Sequence, residues 1–564
     1  MELGSRRELL VDDYLMDRLS GKADRRLHHP VPREVVIVHD APWEGTGSGY
    51  HSVFQDGERY RMYYKAWMLT VTPGVSGKTD PHPLSGAYAE SDDGIHWRKP
   101  LLGLHEFQGS KANNLVFASG QVGMLTLDAG HLAVFKDENP RAATDARYKA
   151  IILAKLPAGR SGLVPFKSPD GMHWSPMSDR PVITDGAFDS QNLAFWDAVR
   201  GEYRAYWRAD TQVEGRARGL RSIRTAASKD LIAWERQADV RFQDSPPEEQ
   251  LYTNQIKPYP RAPHLLVGFP LRYIDRGWSE SMRALPEREH REYRASANPR
   301  FGTAITEGLL MTSRDGVTFH RSNEAFLPPG IEREGTWNYG HQQIAWHLVE
   351  TKSDLEGAPN ELSLYAVESY WTGNSSALRR YTLRLDGFVS VYAPMSGGEL
   401  LTKPFTFTGS KLELNFASSA AGAEPDSLAE PTAAATAFFQ AVAAKNVDRI
   451  VELTVPVDEA AKPTVRAYSE RAAGRPAPAI VSHLQLSKTA VVIFRENADD
   501  AVTVDLDPAY LVRRDGKWFV LYKLTRFDRP EVRISDEERA EFQRLAAWYE
   551  GQKADLQKLL RNRP

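Results

Sequence analysis

A chain of 564 residues exceeds what one hydrophobic core organises, so two or three domains are expected, and 41% hydrophobic content is enough to pack them. A net charge of −3 lacks the basic field of a nucleic-acid binder, and zero cysteines exclude a disulfide framework, a thiolate metal site and a cysteine nucleophile. No run of about 18 apolar residues offers a membrane span, and the first residues carry no apolar leader segment. Localisation stays open: secreted or periplasmic if a leader has been removed, otherwise cytoplasmic.

In chain order the pattern is β. ELLVDDYLM (8–16) reads as one strand, and YHSVFQDGERYRMYYKAW (50–67) reads as two more, followed by the tail AESDDGIHWRKP (89–100). The unit returns as HLAVFKDENP with ARYKAIILAK (131–155) and the tail FKSPDGMHWSPM (166–177). A third copy, FDSQNLAFWDAVRGEYRAYWRAD (188–210), alternates apolar positions in two runs around a polar turn, so it predicts a hairpin. Antiparallel pairing there brings Asp189, Arg208 and Asp210 to one end of the ribbon. Its tail is AASKDLIAWERQ (226–237). QIKPYPRAPHLLVGFPLRY (255–273) with MTSRDGVTFHRS (311–322) makes the fourth copy.

Each tail has Ser, an Asp turn and an aromatic residue four positions after that Asp: Trp97, Trp174, Trp234 and Phe319. Asp-Gly supplies the backbone of a tight turn, and the aromatic packs across the ribbon. Four such units at irregular intervals predict propeller blades with loop insertions. A fifth copy, HQQIAWHLVET with ELSLYAVESYW and SALRRYTLRLDGFVSVY, completes a five-bladed β-propeller over 1–391, with ELLVDDYLM as the strand that closes the ring. Residues 392–420 read as the first hairpin of a β-sandwich cut short, and 421–430 as a linker. From Pro431 the chain turns Ala-rich, so 431–564 predicts a small α+β module of two helices, antiparallel strands and a charged C-terminal helix from Ser535. The fold class is thus mainly β.

LVDDYLMD, APWEGTGSGYHSVFQDGERYRMYY, FKDENPRAATDARYKA, DGAFDSQNLAFWD, YTNQIKPYPRAPHLLVGFPLRY and LRRYTLRLDGFVSV together resemble the glycoside-hydrolase-like five-bladed propellers. They are similar to the family 43 arabinanases and xylosidases and the family 32 fructosidases. The C-terminal module resembles the NTF2-like cone domains. The resemblance implies a glycosidase acting on a poly- or oligosaccharide through carboxylates in the propeller funnel: a base or nucleophile, a general acid and an orienting acid.

In a propeller the funnel is reached by the starts of innermost strands and the ends of second strands. Starts supply Glu44, His51, His131, Asp189, Gln191, Glu249, Asn254, Trp337 and His341; ends supply Lys65, Trp67, Lys155, Arg208, Asp210, Arg272, Glu368 and Trp371. Asp189 falls on the family 43 Asp position of its blade, whereas Gly49 falls where the blade-one base of that family stands. The expected catalytic set is therefore Asp189, with Glu368 or Glu249 as proton donor; partial desolvation of Glu368 between aromatic residues would raise its pKa. The expected substrate-binding set is His51, Lys65, Trp67, Gln191, Arg208, Asp210, Arg272, Trp337 and His341. The cations suit a uronate or a sulfated sugar, or else pair with the site acids. No metal or cofactor motif is present, and His28-His29 lies in a polar loop. The missing blade-one Asp favours a non-catalytic carbohydrate-binding propeller as the rival reading. A scaffold acting through the C-terminal module, where self-association would occur, is the third.

Overall fold

The computed structural model describes residues 1–72, 81–157, 159, 161–211, 219–243, 246–355, 357–394, 397–416, 431–454, 466, 479–495, 506–515, 517–521 and 534–561. The chain divides into two compact units, Met1–Ser410 and Lys411–Pro564, and is mainly β.

In the first unit a meander recurs in chain order. The first sheet runs Gly49–Asp56, Arg59–Ala66, Ser85–Ser91 and Trp97–Arg98. The second runs Leu125–Lys136, Tyr148–Lys155, Ser161–Ser168 and Ser175–Pro176, with Gly120–Val122 added at its first strand. The third is Leu193–Asp197, Glu202–Thr211, Leu220–Ser228 and Trp234–Asp239, so the expected hairpin forms, in the register Leu193 to Tyr206 through Asp197 to Glu202. The fourth contains Lys257–Tyr259, Ala262–Gly268, Met311–Ser313 and Thr318–Arg321, flanked by a short sheet of Gln250–Leu251, Leu271–Asp275 and Ala304–Gly308. The fifth is Val349–Thr351, Glu361–Glu368, Ala377–Arg384 and Val31–Val38.

The tail repeat has one local cause. Asp170 Oδ1 accepts the backbone N–H groups of Met172 (2.8 Å) and His173 (2.9 Å), while Ser168 Oγ accepts that of Gly171 at 2.8 Å. Asp93, Asp230 and Asp315 accept the equivalent pairs, and Trp97, Trp174 and Trp234 donate their indole N–H back to a turn carbonyl. Each Ser-x-Asp thus satisfies the orphan amides between third and fourth strands. Asp170→Ala is expected to lower stability by about 1–2 kcal/mol, read as a fall in the thermal midpoint.

Two expectations are corrected, and one insertion lies outside them. ELLVDDYLM is not the closing strand: Val31–Val38 pairs with Ala377–Arg384 instead. The earlier segment is held by charge, since Arg314 binds Asp12 (2.6 Å) and Glu8 (3.0 Å), which fastens it to the fourth sheet's turn. Among the described residues of 392–420 the supposed sandwich hairpin does not pair with itself; Gly398–Thr402 ladders with Met16–Gly21, and Val389–Tyr392 with Asp24–Leu27. Finally, Glu280–Ala284, Arg288–Ala297 and Arg300–Thr303 form helices inserted between Leu271–Asp275 and Ala304–Gly308.

In the second unit, Pro431–Ala443 and Val447–Leu453 are separate helices, because Asn446 caps the second through Arg449 N–H at 3.1 Å. The sheet orders Ala479–Gln485, Thr489–Arg495, Leu506–Arg514 and Lys517–Val520. Strand alternation sends Val492, Phe494 and Leu511 to Phe438 and Phe439, and Val491, Tyr510 and Val512 to Phe542 and Leu545 of the helix Asp536–Arg561. The expected helix at 466–474 lies, apart from Arg466, outside the described residues.

Candidate functional site

One amide pair joins segments that belong to, or lead into, all five sheets. Gln191, fully buried, donates from Nε2 to Tyr50 O (2.8 Å), Ser52 Oγ (3.2 Å) and Leu132 O (3.4 Å). Its Oε1 accepts from Gln255 Nε2 at 2.8 Å, and that nitrogen also reaches Ile344 O at 3.0 Å, beside Ala366 of the fifth sheet. Gln191 was expected to bind substrate. Its hydrogen-bonding capacity is instead spent inside the protein, so it is structural.

Beside this knot the sheets supply a largely buried cluster, or basin, of aromatic and cationic side chains, with Tyr50, Lys65, Trp67, Arg208 and Tyr339 each at most 7% exposed. A register shift between Gly49 and Ser52 pushes Tyr50 into positive φ (52°), strain of the kind that collects at functional sites. Its ring lies 4.2 Å from Lys65 Nζ, which also faces Trp67 (4.5 Å) and approaches Tyr370 Oη at 3.4 Å. Tyr50 Oη meets Tyr252 Oη at 3.3 Å. Tyr252 and Tyr273 pack edge-on against Tyr339, at 5.9 and 5.8 Å, and Tyr339 against Tyr370 at 6.0 Å. Burial, then the neighbouring tyrosines, push the Tyr50 and Tyr339 hydroxyls well above their ordinary pKa, so they remain donors. A second bulge, between Asp128 and Leu132, sets the His131 ring 5.7 Å from Tyr50, with Asp128 2.9 Å from its Nδ1.

The third sheet brings Arg208 to 5.5 Å from the Tyr252 ring, and its guanidinium pairs with Asp189. Arg221 lies 5.7 Å from Tyr252 and 5.0 Å from Tyr273. The helical insertion adds Arg300 and Phe301, the latter 4.5 Å from Trp371. Buried Arg291 and Arg294 fix that insertion: they donate to Trp337 O (2.8 Å), Thr336 O (3.1 Å), Trp371 O (3.2 Å) and Asn338 Oδ1 (2.8 Å).

The structure therefore gathers Lys65, Trp67, Arg208 and Asp189 from the expected set. Tyr50, Tyr252, Tyr273, Tyr339, Tyr370, Arg221 and Arg300 stand outside that set, although Tyr252 and Tyr339 each sit two positions from a residue within the wider list, Asn254 and His341. Asp210 is exposed and opposite Arg221 in the ladder.

Other residues lie elsewhere. His51 is buried, stacked on Tyr64 at 5.4 Å and 3.1 Å from His39 Nε2; burial, then His39 and Lys65, hold its pKa well below the ordinary value. Glu44 is taken by Tyr64 (2.5 Å) and Lys99 (2.6 Å). Glu249 pairs with Arg272 (2.9 Å) and Arg321, and Arg272 is shared with Glu307 (2.8 Å), so Arg272 belongs to an ion-pair network. Trp337 N–H donates to His341 Nδ1 at 3.0 Å; burial lowers the His341 pKa to about 4, although Glu368 works to raise it.

Glu368 reverses its expectation. Burial would raise its pKa, but Arg379 and Arg333, each at 2.8 Å, outweigh it and hold the carboxyl below its ordinary value. It is an ion-pair anion, not a proton reservoir. Since the folded value is depressed, its stabilisation is present above the unfolded pKa near 4.5 and is lost as pH falls through the folded value. Arg333 is about half exposed, which limits the effect: Glu368→Gln is expected to cost about 1–3 kcal/mol at neutral pH and to converge with the parent in acid, measured by denaturant unfolding across pH.

Among the described residues no hydrogen bond or ion pair joins any two of Asp189, Glu249 and Glu368, no cluster of three His, Asp or Glu could hold a metal, and no helix is long and apolar enough to cross a membrane.

No family model matches this chain, and no curated protein does. Solved structures that resemble it include a glycoside hydrolase (12% identity, TM-score 0.38, covering 63% of this chain and 92% of that one). A thermostable family-43 glycoside hydrolase is also 12% identical, with TM-score 0.38, covering 63% of this chain and 96% of that one. A β-fructofuranosidase from Schwanniomyces occidentalis is 14% identical, with TM-score 0.33, covering 67% and 63%. These scores lie below 0.5, so the functional reading rests on the side chains described above.

Proposed function

We propose that the five sheets are the blades of a propeller and that the chain is carbohydrate-active, taking a saccharide in the basin of Tyr50, Lys65, Trp67, Tyr252, Tyr339 and Arg208. One observation carries this: residues from separate sheets put aromatic faces, protonated hydroxyls and cations into a single basin next to the knot where those sheets meet. Aromatic faces stack on sugar rings, and protonated tyrosines and cations orient hydroxyls.

The proposed reaction is hydrolysis of a glycosidic bond. Asp189 is the carboxylate of the expected set that shares the basin, through Arg208, and acts as base or nucleophile. With Glu368 and Glu249 clamped by guanidiniums, His131 is the proton carrier beside Tyr50. The same clamps favour a second reading, recognition without turnover. A screen of plant and algal polysaccharides for reducing-end release tests both: release lost in Asp189→Asn supports hydrolysis, and saturable binding with no release supports the lectin reading. Absence of both, in folded protein, rejects the proposal. The scaffold reading gives the function to the C-terminal unit; a chain ending at Ser410 that retains sugar binding rejects it.

A further inference from the structure

We infer that the saccharide is anionic, its carboxylate or sulfate docking among Arg208, Arg221 and Arg300 beside Tyr252 and Tyr273. This deepens the proposed function and rests on it. Buried polar groups in folded proteins are nearly always hydrogen-bonded. Arg208, its side chain 8% exposed, reaches Asp189 through Nη2 and leaves Nε and Nη1 buried with no hydrogen-bond partner among the described residues. Arg300 Nη1 and Tyr273 Oη face each other and have no other hydrogen-bond partner among the described residues.

These groups share one place. Arg208 and Arg221 both lie over Tyr252, Arg221 lies over Tyr273 as well, and the Arg300 charge acts on Tyr273 and Tyr339. The donors converge from the third sheet and from the helical insertion, so no short stretch of backbone explains them as a local turn. Among the described residues Asp189 is the one carboxylate paired with these three guanidiniums, and it is 72% exposed; Asp128 is engaged by His131. Arg221 Nη1 spends one donor on Gln250 Oε1 at 2.6 Å. Among the described residues the basin holds more buried donors than acceptors. Oxygens of a carboxylate or sulfate accept from Arg208 at Nε or Nη1, on either side of the Nη2 that Asp189 holds, with Arg300 Nη1 beside Tyr273 supplying a further bond. A neutral sugar hydroxyl would fill at most part of that donor set.

The test uses the full chain and titration calorimetry with three probes of equal length: an oligogalacturonate, a sulfated galactan oligosaccharide and a neutral galactan oligosaccharide. One acidic probe is expected to bind at least about tenfold more tightly than the neutral one, and which of the two does so identifies carboxylate or sulfate. The preference should shrink as salt rises from about 0.05 to about 0.5 M. Arg300→Gln and Arg208→Gln should reduce the acidic probe to the neutral level. Because buried Arg208 also holds the fold, exposed Asp189 provides the second variant: Asp189→Asn frees Arg208 of its carboxylate and should raise acidic-probe affinity several-fold. Equal affinity for acidic and neutral probes at every salt concentration, or an acidic preference untouched by Arg300→Gln and Asp189→Asn, overturns the anionic inference and leaves the carbohydrate reading standing. Failure of all three probes, and of every saccharide in the polysaccharide screen, to bind folded protein overturns the carbohydrate reading itself.

Discussion

Replacing Gln191 with leucine should destabilise the Met1–Ser410 unit by about 3–5 kcal/mol, more than any other single substitution considered for that unit. Leucine has comparable volume, so the loss is polar. Tyr50 O and Leu132 O lose a buried donor, and Gln255 Nε2 loses its acceptor, each costing about 1–3 kcal/mol when left unpaired. The cycle with Gln255→Leu gives a sharper reading. Gln255 Nε2 donates to Gln191 Oε1, so the double variant should be less destabilised than the sum of the singles, by about 1–2 kcal/mol in denaturant unfolding. Strict additivity would show that the two amides do not act as one knot. Loss of the knot should also release the strained Tyr50 and weaken saccharide binding.

The second large effect is at the basin's acid. If the polysaccharide screen finds a cleaved substrate, Asp189→Asn should lower its turnover by about 10³-fold, because an amide keeps the shape but neither stabilises nor attacks the oxocarbenium centre. Asp189 is itself exposed but pairs with buried Arg208, so thermal stability should fall modestly, and turnover is compared on protein shown to be folded. Glu368→Gln should behave in the opposite way, losing stability through Arg379 and Arg333 with a smaller effect on turnover. A turnover loss at Glu368 as deep as that at Asp189, without loss of stability, would return the proton-donor role to Glu368. His131→Gln is the matching probe of the donor assigned to the basin: turnover of a natural glycoside should fall with it, while a substrate whose leaving group needs no protonation should be much less affected.

How far the chain was legible depends on the reach of each interaction. The Ser-x-Asp turns could be read from residue order, because Asp170 needs only Met172 and His173, two and three positions away. The hairpin from Leu193 to Thr211 was equally local, its period-two pattern and short turn sufficing. The inserted helices escaped the β reading, although EREHREYRASA is rich in strong helix formers, because attention to a recurring strand unit treats such a stretch as a loop. The closing strand was misassigned for another reason: apolar alternation in ELLVDDYLM is outweighed by Glu8 and Asp12, whose partner Arg314 is some three hundred residues away.

The sequence by itself determined the recurring β-meander, its turn chemistry and the change to an α+β unit after the linker, since all of these follow from period, capping and composition within a few tens of residues. Only the tertiary structure decided which polar residues face the basin and which serve the fold. Gln191 meets Tyr50 across 141 positions, Tyr50 meets Tyr252 across 202, and Glu368 receives Arg333 across 35. A side chain's charge state and freedom to bind are set by what lies within a few ångströms, and neighbours brought together by sheet packing carry no signature in the order of residues along the chain.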